Sequence, residues 1–109
     1  MASTFKNSTV RAVGTTATDI GVAVPVGTEV TVIGLSCANI TASQVLVSIT
    51  VNDGSNTTNI VKDVPIPSSS SLIAIGGDQK VVLMTGDKVV VTSNIASSVD
   101  VIMSFLEIT

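Results

Sequence analysis

Side chains able to move protons, attack a carbon or hold a metal are few in this chain of 109 residues: eight acids, one cysteine and no histidine. Without His, neither a Ser-His-Asp nor a Cys-His pair can be assembled. The acids Asp19, Glu29, Asp53, Asp63, Asp78, Asp87, Asp100 and Glu107 stand singly. Most fall at turn signals, where Asp serves by accepting backbone hydrogen bonds. A glycosidase pair needs two carboxylates facing across a cleft, and nothing in their spacing implies one. One cysteine with scattered acids does not make a zinc set. Asn52-Asp53-Gly54-Ser55-Asn56 resembles a calcium loop in type but lacks the ligand spacing and the terminal Glu, so it reads as a hairpin turn. Gly76-Gly77 is not followed by the Lys-Ser/Thr of a phosphate loop. No catalytic residue, metal or cofactor is expected, and the chain reads as a non-enzyme. Cys37 has no internal disulfide partner and reads as a buried thiol on a strand face shared with Ile33 and Leu35.

The elements carrying these residues are strands. Val (19), Ile (11) and Thr (14) together make up about 40% of the chain and favour a pleated, packed surface over a helix. Turn signals recur every few residues: Gly14-Thr15-Thr16, Pro25-Val26-Gly27, Asn52-Asp53-Gly54, Pro65-Ile66-Pro67, Gly76-Gly77-Asp78 and Thr85-Gly86-Asp87. Between them lie strands over 7–13, 19–24, 28–39, 44–51, 58–64, 72–75, 80–84, 88–93 and 99–108. The run of serines at 68–71 reads as a crossing loop, and Gly34 as a bulge or a close backbone approach. Eight or so antiparallel strands in one domain predict an all-β fold, a single antiparallel β-sandwich of jelly-roll or related Greek-key topology. An immunoglobulin-like sandwich is disfavoured by the absence of Trp and of paired cysteines. The domain spans residues 12–109, with residues 1–11 as an N-terminal arm and the start of the first strand.

Several strands are apolar on both faces. Val82 and Met84 oppose Val81 and Leu83, Val90 opposes Val89 and Val91, and Ile102, Leu106 and Ile108 oppose Val99, Val101, Met103 and Phe105. A small sandwich covers only one face of each sheet, so the second apolar face calls for a further layer. Val82, Val90, Ile102 and Leu106 are therefore expected to meet another subunit or a larger surface. Lys6 and Arg11 make the N-terminal segment locally basic, and Phe5 gives it an apolar anchor, so these three are expected to reach a neighbour as well. Net charge is −3 and aromatics are 2% of the chain, leaving neither a basic footprint nor stacking platforms for nucleic acid. Mean hydropathy is high at +0.66, yet no apolar run approaches the roughly 18 residues of a membrane helix. The opening Met1-Ala2-Ser3-Thr4-Phe5-Lys6 lacks a charged segment followed by an apolar core, so no secretory signal is expected in it.

The stretch Val64-Pro65-Ile66-Pro67, the serines, residues 72–77 and 80–83, Gly86-Asp87-Lys88-Val89-Val90-Val91-Thr92-Ser93 and Ala96-Ser97-Ser98-Val99-Asp100-Val101 resembles small virion structural proteins of tailed bacteriophages. So does the opening, with Val13-Gly14-Thr15-Thr16 and Val24-Pro25-Val26-Gly27-Thr28. The resemblance implies a β-sandwich that decorates a capsid or sits in the neck or tail. It implies partners among its own copies and other virion proteins, synthesis in the host cytoplasm, and no catalysis. It supplies no site residue. A receptor- or glycan-binding module on a tail fibre is the alternative, and the scarcity of aromatic platforms counts against it.

Overall fold

A computed structural model describes residues 2–76 and 79–109, so the expected turn over Gly76-Gly77-Asp78 and the placement of Asp78 and Met1 lie outside the described residues. Nine strands form, and no helix is present among the described residues: β1 (Ser3–Val13), β2 (Thr18–Ile20), β3 (Glu29–Asn39), β4 (Val45–Asn52), β5 (Thr57–Ile66), β6 (Ser71–Ile75), β7 (Val81–Leu83), β8 (Lys88–Ser93) and β9 (Val99–Ile108). They make two antiparallel sheets. Sheet I has the order β1-β9-β3-β6, with β7 also on β3, and sheet II has the order β2-β8-β4-β5. Only β4 and β5 are sequential neighbours in a sheet; most other connections cross the sandwich. This is the all-β antiparallel sandwich that the sequence predicts.

Strand composition explains the core. Val45, Val47 and Ile49 of β4 and Val89 and Val91 of β8 are fully buried on one side, against Val32, Leu35 and Cys37 of β3 and Val99 and Val101 of β9 on the other. The core is almost wholly aliphatic, and its β-branched side chains hold few rotamers, so little side-chain entropy is lost in packing them.

Two departures from the sequence reading have local causes. Strict alternation would put Ile33 with Leu35 and Cys37, but the ladder with β9 shifts between Val32 and Gly34, so Val30 and Val32 join Leu35 and Cys37 inside. Gly34 thus marks a bulge; a Cβ there would meet nothing closer than the Ile75 carbonyl at 3.9 Å. Second, β1 begins at Ser3 and not at Asn7, and it forms an edge strand paired with β9 from Ser3↔Ile108 to Val10↔Val101.

Asn39 is the main polar fixture inside. It is 3% exposed, and its Nδ2 donates to the carbonyls of Ser43 (2.8 Å), Ile66 (2.9 Å) and Pro67 (3.1 Å) while its Oδ1 accepts from Thr41. It therefore pins the end of β3 in sheet I to the end of β5 in sheet II.

Candidate functional site

The register of sheet I assembles one surface from four strands. Residues directly opposite in an antiparallel pair share a face, so pairing Phe5↔Leu106, Thr31↔Leu106 and Thr31↔Val82 lays down a row Val82–Thr31–Leu106–Phe5. A second row, Ile73–Ser36–Ile102–Thr9, follows from Ser36↔Ile73, Ser36↔Ile102 and Thr9↔Ile102. Between them run Gly34, Ser104 and Asn7. All of these lie on the side of sheet I away from sheet II.

This face presents apolar side chains to solvent: Phe5 is 74% exposed, Ile73 71%, Val82 59% and Ile102 51%. Leu106 is half-buried among them. No charged residue belongs to these rows; Glu29 and Asp100 stand at the ends of the face, in register with Ile108 and Ala38. The two apolar rows flank a valley of Gly, Ser and Asn. A charge-free patch of this kind sheds water readily and offers relief for packing.

Of the residues expected from the sequence, Val82, Ile102, Leu106 and Phe5 come together here. Val90 does not: it lies half-buried on the outer side of sheet II, in register with Asp19 and Thr50. Beside it Lys88 Nζ lies 3.2 Å from Asp19 Oδ2, so its surroundings are charged. Lys6 occupies the other side of β1, where its Nζ donates to Glu107 Oε1 at 2.9 Å. Arg11 sits beside Ala12, whose φ of 56° marks a kink that lets its N–H donate to Asp100 Oδ1 at 2.9 Å. Ile73 was missed in the sequence because residues 72–75 are apolar throughout, and only the pairing with Ser36 shows which of them face outward.

Most of the acids among the described residues are engaged each by its own partner. Asp53 accepts from the N–H groups of Ser55 (2.9 Å) and Asn56 (2.6 Å), which keeps its carboxyl below the usual carboxylate range. Asp87 accepts from Met84 N–H at 2.9 Å, and Asp63 from Ser48 Oγ at 3.3 Å. An apolar cleft of about 80 Å³ opens between the sheets, lined by Ser8, Ile20, Val24, Leu83, Met103 and Phe105 among others. It is smaller than the roughly 150 Å³ that admits a benzene ring. Glu107, the titratable group on its rim, is engaged by Lys6. Cys37 is fully buried, and loss of solvation pushes its thiol up to about 11.

No family model and no curated protein matches the chain. Among solved structures, a chain of the Bacillus endospore appendages, described as a novel family of disulfide-linked pili, superposes with a TM-score of 0.58 at 14% identity, covering 98% of this chain and 88% of that one. Two crystal structures of a pentameric capsid protein from metagenomic phage sequences superpose with a TM-score of 0.39 at 22% identity, covering 94% of this chain and 59% and 60% of theirs. What the chain shares with the appendage subunit is the sandwich fold.

Proposed function

We propose that the protein is a non-enzymatic structural component of a bacteriophage virion, a capsid decoration protein that packs the outer face of sheet I onto a larger assembly built of its own copies and a major capsid or neck and tail protein. The observation that carries this reading is the pair of charge-free rows on the outer face of sheet I, in which Phe5, Ile73, Val82 and Ile102 stand exposed. A solvated sheet face in a free monomer would alternate to polar residues there. The side-chain inventory supports the same reading, because no histidine is present and each described acid is engaged separately or stands alone. Association through this face is non-covalent: Cys37, the one cysteine, is enclosed in the core and out of reach of another chain.

The test is binding to purified particles. Wild-type protein is expected to co-sediment with them in many copies, and Ile102→Asp or Val82→Asp to weaken binding roughly 100-fold or more, since a carboxylate would be left unpaired in a dry contact. Both positions are exposed in the monomer, so the fold should survive, as circular dichroism would check. Binding unchanged in both variants would overturn the reading, and so would absence of the protein from virions. Six or twelve copies per particle would instead place it at the neck or tail.

A further inference from the structure

The two sheets have four edges, and three of them are blunted. β2 has 3 residues; β6 and β7 share an edge as pieces of 5 and 3 residues; β5 carries Pro65, a positive φ of 49° at Asp63 and two breaks in its register with β4. Short strands, prolines, bulges and charged side chains are the usual protections against edge-to-edge pairing. β1 has none of the first three between Ser3 and Val10, where eight consecutive pairs with β9 run without a shift, and its one charge there, Lys6, is paired within the chain to Glu107.

The pattern of its hydrogen bonds is fixed by one pair. Ala2 and Thr109 exchange N–H···O bonds of 2.9 Å in both directions. Alternation along the unbroken register then turns the N–H and C=O groups of Ser3, Phe5, Asn7 and Thr9 away from β9. Those groups make no hydrogen bond among the described residues.

We infer that β1 is a strand-addition edge for β1 of a second copy, paired antiparallel about a two-fold axis at Phe5. In this register Phe5 faces Phe5 of the second copy and Ser3 faces Asn7, each as a hydrogen-bonded pair, giving about six inter-chain N–H···O bonds. The charges choose this register over its neighbour. Centring the axis at Lys6 would set two ammonium groups opposite each other, whereas centring it at Phe5 sets Lys6 against Thr4 and joins two aromatic rings. An axis normal to the sheet keeps both outer faces on the same side, so the dimer carries one continuous sheet with an apolar face of twice the extent. A chain of net charge −3 meets its copy here without acid-to-acid contact, since the segment Ser3–Val10 contains no acid.

The experiment is sedimentation velocity on the full chain without particles, which separates this inference from the particle-binding role. Wild type is expected to sediment as a dimer and Asn7→Pro as a monomer with an unchanged strand spectrum, because the Asn7 N–H takes no part in the β9 ladder and an edge tolerates proline on its open side. Phe5→Cys is expected to give a covalent dimer on mild oxidation, the paired Cα atoms being about 5.5 Å apart. Ile102→Asp should remain dimeric. A monomeric wild type, a dimer that survives Asn7→Pro, or a dimer lost in Ile102→Asp while Phe5→Cys fails to cross-link would each overturn the inference. Should Asn7→Pro not fold, the Phe5→Cys cross-link decides: its presence supports the β1 pairing and its absence overturns it.

Discussion

Cys37 and Asn39 sit two positions apart on β3, and both are enclosed, with opposite chemical results. Burial makes the Cys37 thiolate costly, so the thiol titrates at about 11 in the folded chain against about 9 in the open. The folded state therefore binds more protons between those values, and stability is expected to fall as pH rises from about 9 to about 11. Comparing urea midpoints of wild type and Cys37→Ser across that range isolates the contribution: the slope due to the thiol should vanish in the variant. At neutral pH a thiol reagent should label Cys37 only in denaturant. Asn39→Ala would strip the Ser43, Ile66 and Pro67 carbonyls of their shared donor. An abandoned buried acceptor costs about 1–3 kcal/mol, so chemical denaturation should show a loss of about that size or somewhat more. The burial of Cys37 was legible from its apolar strand. The role of Asn39 in joining the sheets was not, because the two partners across the sandwich, Ile66 and Pro67, stand 27 and 28 residues away and nothing local marks them.

Among the elements, strand existence was written in turn residues and β-branched runs, while strand phase was not. β8 and β9 fall where the sequence puts them because Thr85-Gly86-Asp87 sets the start of one and their apolar runs extend to the turns. β3 shows the limit: one extra residue at the Val32/Gly34 bulge exchanges its faces, and a period-2 pattern cannot announce an insertion. The same limit governs the candidate surface. Val82, Ile102 and Leu106 were visible as second apolar faces, but whether they share a surface with Ile73 rather than Val90 depends on strand order. Turns obey a tighter constraint at Gly14, where an added Cβ would meet backbone atoms, Ser97 N at 3.0 Å and Ala96 Cα at 3.1 Å. Gly14→Ala is expected to push the β1–β2 connection from the β8–β9 loop and to cost about 1–3 kcal/mol, read as a lower melting temperature.

At the scale of the whole molecule, the sandwich measures 45 × 28 × 22 Å, long for its mass, and β1, β9 and β3 of sheet I, of 11, 10 and 11 residues, supply much of the length. Because the exposed face of sheet I carries no charge in its rows, association through it should be insensitive to screening. Raising salt from 0.1 to about 1 M, where the Debye length shrinks to about 3 Å, is expected to leave particle binding unchanged or stronger. A steep loss would point instead to Lys6 and Arg11 as the contacts. One feature of sheet I also governs the order of events in time. β9 lies between β1 and β3, so β1 has no neighbour in its own sheet until residues 99–108 follow, whereas β3 can pair with β6 and β7 before then. A loop of roughly 85 to 105 residues must close before β1 is seated. Nascent chains stalled before Val99 should therefore leave β1 open to protease, and its protection should arrive in a single step once β9 is released.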